Sequence, residues 1–513
     1  MKNKKGFTLI ELLAVIIILA VIALIATPIV LNVVDNARKS ANKDSAYGLL
    51  DSAKLYYMES LLDESKSLSG NLIDKINVSG RKPDSGTVYI NDKGEIALSV
   101  VYDKVCFTKN YEDADLTESD DIENCIVTVP KELYKDTVLN GADPELKDNL
   151  VAVTINTDGT VKKASLYDEW YNYTNKIWAN AVLLNGNDIY KVGDTIEENN
   201  IKAYYVWIPR YKYQIFYDGV NDTTKQLINI VFEDKNTTKS TSTTKGEWLT
   251  HPAFTFGDTE LNGIWVGKFE LTGDTTNPTI KPNVTSLRNQ NVSTLFATTQ
   301  KLSSNSSMLK NIEWGAIAYL TTSIYGQGLD EVRINNSSTF ITGCAATTEN
   351  GSSDSGCRNA YDTSIGYLAS TTGNISGIYD MSGGAQEYVM GVMEDSLNSN
   401  TPSSGYSSKS DSGFSGKNLN DGTTTTGVAF PESKYYDIYK YGTSDSDFAR
   451  YHLGDATTEI KGWNEDYSYF VYSSYPWFIR GGDCGNGTIA GVLALTSHSG
   501  HAYSFSSARA VLR

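Results

Sequence analysis

Positive charge is what this chain has least of. Its 44 Lys and Arg stand against 61 Asp and Glu, a formal net charge of −17. No Lys/Arg run follows the first few residues. Phosphate recognition needs a basic surface, which argues against a nucleic-acid partner. Histidine is scarce at 4 residues. Only His498 and His501 stand close together, and two histidines in a Ser/Gly loop are a weak metal signal. No Ser-His-Asp order and no phosphate-cradling loop stands out. Cysteine is also sparse, with five residues. Four form local pairs, Cys106 with Cys125 and Cys344 with Cys357, and Cys484 is left over. In a polar, Tyr-rich chain bound for export, such pairs read as disulfides in an oxidising compartment. The bland alternative is five unrelated buried thiols.

What is present begins with length. The 513 residues exceed one ordinary domain and suggest about two to four. Abundant Asn, Ser, Thr, Gly and Tyr suit an exposed surface rich in polar loops.

The N-terminus carries a long apolar run, from Phe7 to about Val34, preceded by Lys2, Lys4 and Lys5. The basic flank holds that end in the cytoplasm. The run exceeds the roughly 20 residues that a bilayer-crossing helix needs. A secretory signal places a small-residue cleavage site after its apolar core. No clear site of that kind follows here; Gly6-Phe7 stands in front instead. The stretch "KKGFTLIELLAVIIILAVIALIATPIV" closely resembles the leader and first helix of type IV prepilins and pseudopilins. The resemblance implies that a prepilin peptidase cuts between Gly6 and Phe7 and methylates the new amino terminus on Phe7. It implies that Glu11 pairs with the amino terminus of a neighbouring subunit during assembly, and that Pro28 kinks the helix. The implied partners are other pilin subunits, the peptidase and the membrane. The implied location is the cell membrane, crossed once, and then a surface filament. The physics agrees: a carboxylate inside hydrocarbon costs about 2.5 kcal/mol or more and needs a partner. Proline removes a backbone donor and bends or locally melts a helix.

Beyond Val34 apolar residues recur at helical spacing, as in Leu49, Ala53, Tyr56 and Leu61. One helix from Phe7 to about Leu62 would span roughly 80 Å. From about residue 70 the pattern is strand-like. "GTVYINDKGEIALSVVYD" predicts a hairpin around Asp92-Lys93-Gly94, and "CIVTVP" a further strand. The acidic segment between Cys106 and Cys125 reads as a solvated loop; its spacing is not that of an EF-hand, and calcium is the one ion considered there. "LVAVTINTDGTVKKA" predicts another hairpin, turning at Asp158-Gly159.

Four later segments resemble, in order, the landmarks of the formylglycine-generating-enzyme (sulfatase-modifying-factor) domain, a variant of the C-type lectin fold. Lys268, Glu270 and Thr272 match its "K-x-E-x-T"; Trp314 and Ala318-Tyr319 match in part its "W-x-x-A-x-A-Y". Gly377, Tyr379, Asp380, Met381, Gly383 and Glu387 match its "G-x-Y-D-M-x-G-N-x-x-E-W". Arg480-Gly481-Gly482 and Arg509, Val511 and Leu512 match its ending. Members with oxidase activity use two closely spaced cysteines to bind copper. Only Cys484 is present here, and one thiol makes no two-thiolate site. The expectation is therefore a chain that is no enzyme and holds no resident cofactor or metal. Trp477 and Phe478 read as core.

The tail sets Gly and Ala residues between chemically unrelated ones: Asp483, Cys484, Asn486, Thr488, Leu493, Leu495, Thr496, His498, His501, Tyr503 and Phe505. From Gly481 to Leu512 it contains no Lys, Glu, Gln, Met or Trp. This resembles the variable region of diversity-generating-retroelement target proteins, where those positions bind ligand.

The expected fold class is α+β: a long N-terminal pilin helix with a small antiparallel β head, then a C-type-lectin-like, formylglycine-generating-enzyme-like domain. Its boundaries are a leader at 1–6, a helix at 7–65, a head at 66–165 and the large domain at 166–513, with 481–512 the candidate variable binding region. The expected function is a minor or tip pilin-like subunit displaying a non-catalytic module for an extracellular protein or glycan. The alternatives are a secretion pseudopilin with a structural head and a surface enzyme of the formylglycine-generating type.

Overall fold

The computed structural model describes residues 8–513 except 63–65, 67, 69, 79, 92, 128–132, 148, 221–223, 243, 394–410, 418–423, 440–452 and 473. The chain divides into two compact units, residues 1–132 and 133–513.

The small unit is built on one helix, α1 (Leu9–Ser60). Its first half contains a stretch long and apolar enough to cross a membrane. Side chains such as Leu13, Ile17, Leu24 and Leu31 are exposed there. Its second half buries Ala46, Leu49, Leu50, Ala53 and Tyr56, spaced at the three- and four-residue interval that lines one helix face. That face packs on Leu98, Val100, Tyr102 and Phe107 of a four-stranded sheet. The strands, β1 (Ser85–Ile90), β2 (Ile96–Tyr102), β3 (Val105–Lys109) and β4 (Thr117–Ser119), form an antiparallel meander in chain order. Leu49 is fully buried, so its truncation to Ala costs about 2–5 kcal/mol. The β1–β2 hairpin turns where expected, with Gly94 at φ 79°; Asp92 lies outside the described residues.

Pro28 sits inside α1, which stays helical through it, so of the two effects expected of it, a bend or a local melting, the melting is absent. One expectation for this unit changes. Residues 125–127 form no strand, and 128–130 of "CIVTVP" lie outside the described residues. Cys125 is disulfide-bonded to Cys106 on β3, and the edge of β3 is taken by β4, which forms within the acidic loop.

In the large unit, seven strands form an all-antiparallel sheet. Its order is Ser306–Met308, Ala510–Leu512, Gly263–Gly267, β8 (Ile201–Pro209), β7 (Asn180–Leu184), β5 (Leu150–Ile155) and β6 (Val161–Lys163). The β5–β6 hairpin, expected in the small head, is paired to β7 here. Alternation made it a strand pair; only its partner decides which core it joins. A helix, Asn311–Thr321, is buried along its whole length. A second sheet centres on Gln386–Met393, flanked by Trp477–Arg480 and Leu495–His498 on one side and by parallel contacts with Asp437–Tyr439 and Ser506–Ala508. Cys344 is bonded to Cys357. The whole is α+β: a long N-terminal helix followed by mostly antiparallel sheet.

Candidate functional site

The polar residues singled out by motif are interior. Lys268 is fully buried, and its Nζ donates to Asn180 Oδ1 (2.9 Å) and to the carbonyls of Ile375 (2.6 Å) and Gly377 (2.8 Å). Burial pulls its pKa well below the usual lysine value. Glu270 accepts from the Ala385 amide (2.8 Å), and Asp380 accepts from the Gly343 amide and Asn335 Nδ2, both at 2.8 Å. Arg480 donates to the Ala456 carbonyl (2.7 Å) and lies 5.7 Å from the Trp314 ring centre. Each of these buried side chains has at least one hydrogen bond, and Arg480 keeps Nε and Nη1 without one among the described residues. Trp477 and Phe478 are fully buried, as expected.

The tail's candidate positions divide into three groups. Cys484, Leu493 and Leu495 are at most 5 % exposed and belong to the interior. This corrects their reading as ligand positions. Leu495 pairs with Arg480 across the strands, so the two-residue alternation turns it into the core. Burial, with Asp483 nearby, pushes the Cys484 thiol up to about 11. Asp483, Asn486 and Thr488 lie on one loop: the Asp483 amide donates to Asn486 Oδ1 (2.9 Å), and Asp483 Oδ1 accepts from the Gly485 amide (2.8 Å). Thr488 is exposed and Thr496 half-buried.

His498, His501, Tyr503 and Phe505 do come together, and they join aromatic residues that sequence reasoning missed. Ring centres follow one another from Tyr467 to Tyr469 (6.4 Å), Tyr472 (5.8 Å), Tyr475 (5.2 Å) and His498 (6.3 Å). The series continues to Tyr503 (5.1 Å), Phe505 (5.5 Å) and Phe340 (5.5 Å), whose ring is covered by Arg288 at 3.7 Å. His501 flanks His498 at 4.4 Å. Tyr467, Tyr469, Tyr472, Tyr475 and Phe505 are 37–49 % exposed. The face is held from behind. The Tyr467 carbonyl accepts from the Leu495 amide (2.7 Å) and the Tyr469 amide donates to the Leu495 carbonyl (2.9 Å), tying the segment to the strand edge. Buried Tyr388 contacts His498 Nδ1 and donates to the His501 carbonyl (2.9 Å). Burial pulls His498 down to about 4, so the ring is neutral at pH 7. The available signal was "DYSYFVYSSYPW", in which Tyr467 and Tyr469 alternate with other residues just upstream of the tail.

At the other end of the chain, Gly6 and Phe7 lie outside the described residues. Glu11 opens α1 in a reciprocal cap: Glu11 Oε2 accepts from the Thr8 amide (2.9 Å), and Thr8 Oγ1 accepts from the Glu11 amide (3.3 Å). Thr8-x-x-Glu11 is a capping pattern that the sequence already displayed.

Residues 1–27 match the family described as the prokaryotic N-terminal methylation motif. Among curated proteins, no match is found. The chain thus carries the N-terminus of a type IV pilin or pseudopilin, joined to a long apolar helix. The motif entails processing by the prepilin peptidase, anchoring in the membrane through that helix, and association with pilin subunits.

Proposed function

We propose that this chain is a minor or tip subunit of a type IV pilus-like filament, and that its large unit is a non-catalytic recognition module with the C-type lectin fold in its formylglycine-generating-enzyme-like form. The observation that carries the reading is the exposed aromatic face, Tyr467 to Phe505, mounted on a frame that includes buried, hydrogen-bonded motif residues. A surface whose backbone is fixed before binding loses less freedom on contact. Tyrosine adds large contact area with few rotatable bonds. The fold reading is supported by the convergence of Lys268, Glu270, Asp380, Glu387, Arg480 and Arg509 in one interior. The non-catalytic reading is supported by Cys484, a single buried thiol held protonated at neutral pH. Diversification of the tail by a retroelement would vary its outward positions and spare Leu493 and Leu495.

The test uses cells carrying the full chain. Replacing Tyr469, Tyr472 and Tyr475 together with Ser leaves filament content unchanged and abolishes adhesion or target binding. If adhesion and binding persist, the face is not the recognition surface. A structural pseudopilin predicts no change in either readout. Copper-dependent thiol oxidation that is lost in Cys484→Ser would instead restore the enzymatic alternative.

A further inference from the structure

The large unit holds a second candidate site that shares no residue with the aromatic face. A cavity of about 410 Å³ lies where this unit begins, with apolar walls from Leu146, Leu166, Trp170 and Tyr171. That volume lies in the range of small-ligand sites. Three of its rings stand at steep angles: Trp170 to Tyr171 at 4.9 Å and 89°, and Tyr134 to Tyr171 at 5.1 Å and 71°.

Two carboxylates line the same cavity, and they differ in what they have left to give. Glu145 Oε1 is engaged, accepting from Asn262 Nδ2 (2.7 Å) and Lys235 Nζ (3.1 Å). Asp143 is half-engaged. Its Oδ1 accepts from the Tyr171 hydroxyl (2.7 Å) and the Asp136 amide (2.9 Å), while Oδ2 accepts from no donor among the described residues. Lys135 also lines the cavity but is exposed and makes no ion pair with Asp143 among those residues. Burial raises the Asp143 pKa, and neighbouring Asp136 adds to the rise. A bound cation would relieve both costs. Aromatic faces beside an anion also favour cations over neutral or anionic ligands.

We propose that this cavity binds a primary ammonium on an apolar stem, the ammonium donating to Asp143 Oδ2 and the stem lying against Leu146, Leu166 and Trp170. A free organic amine and a lysine side chain of another polypeptide offer that same chemistry. The free acceptor oxygen selects the primary ammonium over a quaternary one, which has no N–H to give. The proposal does not depend on the reading of the aromatic face.

The purified full chain in non-ionic detergent is titrated calorimetrically at pH 7 with 2-phenylethylamine, 2-phenylethanol and phenylacetate. The amine binds about tenfold or more tightly than the other two, a difference of about 1.4 kcal/mol. Asp143→Asn, which keeps an acceptor for Tyr171, erases that preference while alcohol binding and thermal midpoint stay put. Lys135→Ala, removing a competing cation at the surface, tightens amine binding several-fold. A parallel titration with Nα-acetyl-lysine amide separates the sources: its binding points to a lysine side chain, and binding of the free amine alone points to a small molecule. Equal affinity for all three probes, no heat from any at millimolar concentration, or an amine preference that survives Asp143→Asn would overturn the proposal.

Discussion

Glu387 and Arg509, 122 residues apart in sequence, meet as a fully buried ion pair, with Arg509 Nε donating to Glu387 Oε2 at 3.2 Å and a second guanidinium nitrogen reaching Oε1. Arg509 also donates to the carbonyls of Gly267 (2.8 Å) and Tyr379 (2.9 Å). One side chain therefore links three distant stretches. Arg509→Met leaves Glu387 unpaired with Asp380 as a like-charged neighbour, at a cost of about 3–5 kcal/mol. Arg509→Lys also destabilises, because one ammonium cannot reproduce the planar fork. Urea denaturation followed by tryptophan fluorescence checks both.

Acid should weaken the large unit through His251. The ring is fully buried; its Nδ1 accepts from the Ala253 amide (3.2 Å), so Nε2 carries the proton and donates to the Gly454 carbonyl (2.8 Å). A second proton has no place to sit, and burial holds the pKa at about 3. The unfolded chain, near 6.5, takes up that proton first. Stability is therefore full above about pH 6.5 and falls as pH drops toward 3, by at most about 1.4 kcal/mol per pH unit from this group. Denaturation midpoints measured stepwise from pH 7 to pH 4 should decline, and His251→Phe should flatten that decline.

The tail separates into frame and face under truncation. Leu493→Ala and Leu495→Ala each cost about 2–5 kcal/mol, because both side chains are buried. Thr488→Ala, at an exposed loop position, stays within about 0.5 kcal/mol. If the tail is diversified, deep sequencing of the locus in a growing population shows changes at Thr488, His501, Tyr503 and Phe505 and none at the two leucines.

Glu11 has a local role and an assembly role, and they can be told apart. Glu11→Gln keeps an acceptor for Thr8, so the cap loses well under the roughly 1 kcal/mol that full removal of a cap costs. If the carboxylate pairs with a neighbouring subunit, the same change blocks incorporation into filaments while membrane insertion stays normal. Immunoblots of sheared filaments against membrane fractions read the two outcomes.

How much of this was legible beforehand depends on which interaction decides each element. The second half of α1 was readable because Leu49, Ala53 and Tyr56 repeat at the helix's own period, and that repeat is the packing face. The 150–163 hairpin was readable as a hairpin, but its membership of the large unit rests on pairing with β7, which alternation does not encode. Leu493 and Leu495 look arbitrary among glycines. The burial of Leu495 follows from a strand partner, Trp477–Arg480, and the Leu493 amide is held by Asp466 Oδ2, both outside the tail. The aromatic face was missed for the same reason. Tyr467–Tyr475 reaches His498 only through contacts made across the sheet, so no window of sequence holds both halves.

The strand Ala510–Leu512 lies inside the seven-stranded sheet, between Ser306–Met308 and Gly263–Gly267. The large unit cannot close until residue 512 has been made, so its folding must follow synthesis of the entire tail. A frameshift or stop codon anywhere in 481–509 removes that inner strand along with Arg509. Such a chain loses the strand that both neighbours pair with and fails as a fold. If the tail is diversified, only versions read through in frame reach a folded state.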